Sequence, residues 1–447
     1  MMRLTARRLT GRRVTGRRVT GRRLTGRRLT GRRDGRSGLP GRRAAGRNLR
    51  ALAGVVAAIG LTLTGCGTGP HRARPAASAS AAARPAASRS AGGRSAASVA
   101  FCRTPPAAGL KAALSRTVRH APGAEVLPLG ISADGRTAYV STWSAGFSGV
   151  AALNLASGGL RGIKSFADPA TDQADGSFGG RWLVWEETYS LQSLDDFTIY
   201  SWDSATGTLR RLGHSLAGPG GTAWPSPWHG PAVSGNYAAW AQGYGPGGVV
   251  EIVLADLQTG QVKVIRRGHV QPPFFDAHLV VWPESDRPGT QTTLRAFSLV
   301  TGRPAALPPV LAAVHGTEFV ATDGIRTAYF SPDLTRLYYS PAQDQRAQMV
   351  LRLPAGVAFA NLAIEPGTLA WTTTQATYLA STRTGAYSRV TPEYGYATGS
   401  GSVVLISDAP SQKTVHPDLT LHVVDPASIA WPACRGHVLA RGQATTP

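Results

Sequence analysis

Lysine, methionine and cysteine are scarce in this 447-residue chain, which has four lysines, three methionines and three cysteines. It contains no C-x-x-C and no H-E-x-x-H pattern, so the zinc sites built on those motifs are not indicated. No other Cys lies at ligand spacing beside Cys102 or Cys434, which argues against a two-cysteine metal site. Long helical patterns are also rare, the best being residues 110–118. Short apolar runs broken by Gly, Pro, Asp and Ser dominate instead and indicate an all-β fold.

The formal charge of +23 lies almost entirely outside the part of the chain that is expected to fold. Residues 1–50 contain 18 arginines and one aspartate, whereas residues 51–447 carry only +6, five of which are arginines within 67–100. A nucleic-acid-binding domain carries its basic charge on the folded surface. The folded part is near neutral, so nucleic acid is not expected as a partner.

A charge-free apolar run covers residues 51–63, directly after Arg50. It is too short to span a membrane comfortably, but it matches the apolar core of a signal peptide. The run ends in Leu63-Thr64-Gly65-Cys66, which resembles the bacterial lipobox, where the cysteine receives a diacylglyceryl group and the chain is cut before it. The resemblance implies lipidation of Cys66 and an anchor on the extracytoplasmic face of the cell membrane. A plain secretory signal with an incidental cysteine is the alternative.

Low-complexity segments lie on both sides of this run. Residues 1–50 repeat an Arg-rich pentad such as Leu9-Thr10-Gly11-Arg12-Arg13, and residues 67–100 are almost entirely Ala, Ser, Arg, Pro and Gly. Neither segment can bury enough apolar surface to offset the entropy lost on ordering. We therefore expect a disordered leader at 1–50, a signal core and lipobox at 51–66, a disordered tether at 67–100 and a folded domain at 101–440. The leader is either an unusually long n-region or the product of a start site placed too far upstream.

Within 101–440, a turn followed by an apolar run that ends in a large residue recurs seven times. The clearest run-ending residues are Trp185, Trp240, Trp282, Phe330 and Trp371. A further strand and a tight polar turn with glycine follow each copy, as suits a hairpin. The turn glycines 158, 207, 260 and 302 lie 49, 53 and 42 residues apart, and Gly385 follows after nearly twice that period, with a degenerate turn near 342–345 between them.

This period predicts a single seven-bladed β-propeller, because each unit has room for about four strands. The large run-ending residues are then expected to pack between neighbouring blades. A β-sandwich array is the competing architecture, but it would not produce so regular a period.

Two stretches carry a family resemblance. They read Ile131-Ser132-Ala133-Asp134-Gly135-Arg136-Thr137-Ala138-Tyr139 and Phe330-Ser331-Pro332-Asp333-Leu334-Thr335-Arg336-Leu337-Tyr338-Tyr339. Both resemble the SPDG-containing repeat of TolB-type and WD40-like propellers. The resemblance implies the fold and no particular activity, because propellers serve as enzymes, receptors and scaffolds alike.

Cys102 and Cys434 remain at the two ends of the folded region once Cys66 is assigned to the lipid. An exported chain lies in an oxidising compartment, so these two cysteines predict one disulfide. Two unpaired buried thiols are the alternative. If the domain closes into a ring, both ends meet, and the two Cα atoms should lie about 4.4–6.8 Å apart.

The loops after the seven recurring runs, together with the blade-to-blade crossovers, predict a binding face. Exposed aromatics beside a few polar groups suit the recognition of sugars or protein loops, whereas ordinary loop packing is the alternative. The residues that we predict for this face are Trp143, Phe147, Glu187, Tyr189, Asp195, Asp196, Trp224, Trp228, His229, Tyr244, Glu284 and Asp286.

Catalytic signatures are weak. Residues 213–217, Gly-His-Ser-Leu-Ala, fall one residue short of the G-x-S-x-G elbow, so no catalytic residue is predicted. The acidic pairs Glu186-Glu187, Asp195-Asp196 and Glu284/Asp286 are interpreted as solvated loop charges.

We therefore expect a monomeric, non-catalytic binding module with no cofactor and no metal. Its partners are the membrane, through the lipid anchor, and an envelope protein or glycan. The alternative is an extracellular hydrolase or lyase that acts on a cell-wall or other polysaccharide through acidic or His residues in a central channel.

Overall fold

The computed structural model describes residues 100–434 except 116, 119–124, 145, 169–171, 190–194, 227–229, 318, 393–394, 401–402 and 409–420. The leader, the lipobox with Cys66 and nearly all of the tether lie outside the described residues, so these assignments stay predictions. Strands dominate, as the all-β prediction requires. The α-helices are short: α1 (Ala108–Ser115) and α2 (Pro309–Ala312). Among the described residues, no helix combines the length and apolarity that crossing a membrane demands.

Two very short strands come first, β1 (Cys102–Arg103) and β2 (Thr117–Val118), and four-stranded antiparallel meanders follow in chain order. The first three meanders are β3–β6 (Glu125–Ile131, Thr137–Trp143, Ser148–Asn154, Leu160–Ser165), β7–β10 (Gln173–Gly179, Trp182–Thr188, Phe197–Asp203, Leu209–His214) and β11–β14 (Ala232–Ser234, Tyr237–Gly245, Val249–Asp256, Val262–Val270). The next three are β15–β18 (Phe274–Asp276, Leu279–Ser285, Thr293–Ser298, Arg303–Ala305), β19–β22 (Val320–Thr322, Thr327–Phe330, Arg336–Ser340, Gln348–Arg352) and β23–β26 (Phe359–Glu365, Thr368–Thr373, Thr377–Ser381, Ala386–Thr391). The last strands are β27 (Gly395–Ser400), β28 (Val403–Asp408) and β29 (Leu421–Val424).

The N-terminal strands complete the two last sheets. β2 pairs antiparallel with β29, so the sheet that contains β27–β29 takes its fourth strand from the start of the domain. β1 pairs in parallel with β26 and becomes a fifth strand of the preceding sheet. The sequence prediction of a helix over 110–118 is therefore wrong at its end, because α1 stops at Ser115 and residues 117–118 pair as a strand.

Neighbouring sheets meet through their first strands. β3 contacts β7, and the contacts continue through β11, β15, β19 and β23 to β27, which contacts β3 again. The third and fourth sheets are also joined by backbone pairing of β14 with β16. Successive meanders whose first strands touch in turn form a propeller-type arrangement.

The core lies between the sheets and is built around the large residues that the sequence pattern singled out. Trp185, Trp240, Trp282, Phe330 and Trp371 are all buried, with 4% exposure at most. Trp185 belongs to an apolar cluster that side chains of the first and second sheets share, and Trp240 to one shared by the second and third. The predicted structural role of these residues between repeats is confirmed.

The tight turns follow from their sequences. Asn154, Asp203 and Asp256 each accept a hydrogen bond from the backbone N–H two residues on, through the side-chain Oδ1. The glycine that ends each of these turns has φ between 73° and 76°, a left-handed conformation that glycine adopts at little cost.

Cys102 and Cys434 are joined by a disulfide, with their Cα atoms 5.9 Å apart. The distance lies within the range expected if both ends of the domain meet. The backbone N–H of Cys434 also donates to the carbonyl oxygen of Thr384 at 3.2 Å, just before β26. The disulfide therefore holds the chain beyond β29 against the same sheet edge that receives β1.

Candidate functional site

One side of the sheets gathers most of the predicted binding residues, and we call it the crossover face. It consists of the described residues in the connections that follow second strands, such as 189 and 195–196, and in the crossovers between sheets, above all the long crossover at 215–226 and 230–231. Second and fourth strands of a meander run in the same direction, so their C-terminal ends lie on this one side. At the end of β4, Trp143 Nε1 donates to the carbonyl oxygen of Asp172 in the first crossover at 3.2 Å.

The long crossover is fixed by side-chain hydrogen bonds. Asp195 Oδ1 accepts from the backbone N–H of Ser226 at 2.9 Å, and Ser226 Oγ accepts from that of Gly243 at 2.7 Å. Asp175 Oδ2 accepts from the backbone N–H of Gly230 at 2.9 Å. Asp195 therefore serves to position a loop. Sequence analysis did not single out Asp175 or Ser226, whose partners are distant in the chain.

Two glycine-rich tips protrude on this face. Gly-Pro-Gly-Gly occurs at 218–221 in the long crossover and again at 245–248 between β12 and β13. The last two glycines of both copies have φ between 74° and 85°, and a Cβ atom built on any of these four would meet nothing within 4 Å. Both tips therefore present open backbone. The repeated tetrapeptide is the sequence signal for both tips.

Two aromatic residues accompany the tips. Trp224 is half-buried, and its backbone N–H donates to the carbonyl oxygen of Leu216 at 3.0 Å. Tyr244 is 41% exposed, and the guanidinium carbon of Arg267 lies 4.2 Å from the centre of its ring. Arg267 Nε in turn donates to Glu251 Oε1 at 2.7 Å.

A buried polar chain supports Arg267 from below. Trp240 Nε1 donates to Gln242 Oε1 at 3.1 Å, and Gln242 Nε2 donates to Glu251 Oε2 at 3.0 Å. Both oxygens of the buried Glu251 carboxylate are thereby used, and the residue is 2% exposed. The cation stacked on Tyr244 is thus held by a network rather than by one exposed contact.

The interpretation of Glu186 and Glu187 as solvated loop charges is wrong. Both lie in β8 and are 2% and 1% exposed, because β8 is an interior strand of its sheet. Lys164 Nζ lies 2.7 Å from Glu187 Oε1 and bridges β6 of the first sheet to β8 of the second. Burial raises the pKa of Glu187, and the hydrogen bond from Lys164 opposes that shift.

Glu284 is also paired with a basic side chain, that of Arg266, and is likewise not a solvated charge. Arg266 donates to it from both Nε and Nη2, and Trp282 Nε1 donates to Glu284 Oε2 at 3.0 Å. Arg266 and Lys164 occupy equivalent positions, since they pair with Ile252 and Val150 in corresponding registers. A recurring ion pair therefore links the fourth strand of one sheet to the second strand of the next.

The other predicted residues differ in burial and partners. Phe147 is half-buried against the core shared by the first and last sheets. Tyr189 donates its backbone N–H to the carbonyl oxygen of Asp196 at 3.0 Å, and burial raises the pKa of its phenol. Asp286 and Asp196 are exposed, as expected for loop charges. Trp228 and His229 lie outside the described residues.

Most of the acidic side chains near this face are engaged by other parts of the protein. Glu187, Glu251 and Glu284 are each committed to a basic side chain, and Asp175 and Asp195 accept backbone hydrogen bonds. Across the described part of the chain, no group of three His, Cys, Asp or Glu side chains could hold a metal ion.

Comparisons with known proteins add little to this geometry. The sequence matches no protein-family model and no curated protein. Among solved structures it is similar to a prolyl endopeptidase, with 14% sequence identity and a TM-score of 0.46 over 72% of this chain and 49% of that one. It is similar to the β-propeller domain of the Trilobed protease from Pyrococcus furiosus, with 12% identity and a TM-score of 0.37 over 58% of this chain and 96% of that one. It is also similar to TolB from Acinetobacter baumannii, with 13% identity and a TM-score of 0.34 over 67% of this chain and 63% of that one. The match spans about half of the prolyl endopeptidase chain. With TM-scores below 0.5, these likenesses carry no argument about activity.

Proposed function

We propose that this chain is an exported, lipid-anchored protein whose seven-bladed β-propeller is a non-catalytic binding module for an envelope protein or glycan. The observation that supports binding is the crossover face, where two open glycine tips flank Trp224 and the exposed Tyr244. Aromatic side chains and unhindered backbone amides are the groups that recognise sugars and protein loops.

The proposed blade count follows the strand order. Six meanders of four strands and a seventh that β2 completes make seven units, and the first strands contact one another from β3 to β27 and back. In a ring of this kind the strand contributed by the N-terminal segment joins the first and last parts of the chain.

The direction of β1 agrees with an anchor on the opposite side from the crossover face. Cys102 lies beside Ala386, the first residue of β26, and the crossover to the last sheet leaves from the other end of β26. The chain therefore enters the domain away from the crossover face.

A hydrolase or lyase is the second candidate function, and one observation favours it. Asp175 and Glu186 lie directly opposite each other in the register of β7 and β8, so that two carboxylates share one side of the second sheet. Paired carboxylates are the usual machinery of glycoside cleavage.

The test uses the full-length chain in pull-downs from envelope extract and on a glycan array. Tyr244→Ala and Trp224→Ala should each weaken capture of the same partner at least about tenfold, as expected for aromatic anchors of a binding surface. Val300→Ala, which alters an exposed turn on the other side of the sheets, is the control. Equal capture by all variants would refute the assignment to the crossover face. Release of shortened glycans that Glu186→Gln abolishes would favour the enzyme instead.

A further inference from the structure

The fourth sheet has an unusually short outer strand. β18 spans only Arg303–Ala305, whereas the corresponding β14 of the third sheet spans Val262–Val270. Proline keeps the strand short: Pro304, the middle residue of β18, has no N–H for the ladder, and Pro308 directly precedes α2. The half of β17 nearest the crossover face is therefore left without a complete neighbouring strand.

A cavity of 680 Å³ occupies this place. β14 forms one wall, β16 and β17 form the floor, and β18 with the segment around α2 forms the other wall. Its apolar lining includes Ile265, Leu294, Phe297, Ala305 and Leu307. A volume of this size is typical of small-molecule sites, which combine apolar walls with a few convergent polar groups.

The polar lining has a net positive character. Arg266 and Glu284 neutralise each other in a two-pronged ion pair. Arg295 and His315 also line the cavity, and both residues are exposed. Within the described part of the chain, neither side chain has a hydrogen bond or ion pair. One fixed positive charge and one imidazole are thus available beside an apolar floor.

We propose that this cavity binds a small amphiphilic anion, whose single acidic group pairs with Arg295 and whose apolar body lies over β17. A guanidinium presents several N–H donors to an anion and remains charged at all relevant pH values. The apolar body gains from covering Ile265 and Leu307, the half-buried apolar residues of the lining. The site is separate from the glycine tips and aromatics of the crossover face and does not depend on what that face binds.

The proposal is tested with two probes that share one apolar body. 1-Anilinonaphthalene-8-sulfonate carries a sulfonate, and N-phenyl-1-naphthylamine is its uncharged analogue. Both are titrated by fluorescence into the full-length chain, the Arg295→Gln variant and the control Arg303→Gln, an exposed arginine of the same sheet that does not line the cavity. The sulfonate should lose about tenfold in affinity with Arg295→Gln, as expected for one charge-assisted contact, while the uncharged analogue should be unaffected.

A second variant tests the location. Ala306 is exposed at the cavity wall, so that Ala306→Trp fills the space without changing the core, and Ala205→Trp on a distant turn is its control. Ala306→Trp should abolish saturable binding of both probes, and Ala205→Trp should leave it intact. Equal loss of sulfonate affinity with Arg303→Gln, unchanged affinity with Arg295→Gln, or full binding by Ala306→Trp would each overturn the proposal.

Discussion

Replacing Glu365 by glutamine is expected to stabilise the fold by an amount that grows with pH. Glu365 is the last residue of β23, and its carboxyl group lies so close to Gly399 of β27 that a Cβ atom on that residue would clash with Oε1. Burial, together with repulsion from Asp323, raises the pKa of Glu365 from 4.5 to about 8. The folded chain therefore holds a proton there that the unfolded chain has released at neutral pH.

The sign and size of the effect follow from proton linkage. Between pH 4.5 and about 8 the unfolded chain gains stability from ionising Glu365, and the folded chain does not. The protonated carboxyl group makes its full contribution to the free energy of unfolding below pH 4.5. Between pH 4.5 and about 8 this contribution falls by about 1.4 kcal/mol per pH unit. The loss amounts to about 3 kcal/mol at pH 7 and about 5 kcal/mol above pH 8.5. A glutamine, which does not ionise, avoids it.

Urea denaturation of the disulfide-intact protein at pH 5, 7 and 9 measures this difference. Glu365→Gln should match the wild-type free energy of unfolding within about 1 kcal/mol at pH 5 and exceed it increasingly at pH 7 and 9. Asp286→Asn, at an exposed loop position, is the control and should give a flat difference. A Glu365→Gln difference that does not vary with pH, or that is destabilising throughout, would refute the reasoning.

Three further predictions address the anchor, the core and the disulfide. Cys66→Ser should release the chain from membranes or leave an uncleaved precursor, as fractionation would show; unchanged fractionation with normal maturation contradicts the lipid anchor. Trp240→Ala should lower the free energy of unfolding by about 3–5 kcal/mol, measured in urea, since it empties a buried site. Cys102→Ala should lower the free energy of unfolding by at most about 5–6 kcal/mol, because the disulfide closes a 332-residue separation. The variant and the reduced wild type should then melt at the same temperature, below that of the oxidised wild type.

The repeating part of the fold was predictable because it is local. Each turn glycine and each large run-ending residue, such as Gly207 and Trp240, is fixed by a hairpin that lies within a few residues of it. The Cys102–Cys434 disulfide was also predictable, because two cysteines that lie at the two ends of one closed domain are brought together by the fold.

The remaining features depend on contacts between distant segments. Nothing near Thr117 and Val118 indicates that they pair with β29, some 300 residues later, and so they were assigned to the preceding helix. Glu186 and Glu187 look like surface charges, because neither the interior position of β8 nor the lysine across the sheet boundary is visible locally. The cavity beside β17 arises because β18 is shorter than the corresponding strand β14 of the third sheet. The length of β18 is defined by its pairing with β17 in three dimensions and is not visible in the local sequence.

The covalent link between Cys102 and Cys434 also determines how the domain responds to pulling. Tension on the chain that precedes Cys102 reaches the disulfide before it reaches the rest of β1, α1 or β2. The force then passes to Cys434, downstream of β29, instead of peeling β2 away from that strand. The short closing strand, which pairs through only two residues, is thereby shielded from mechanical load while the disulfide remains oxidised.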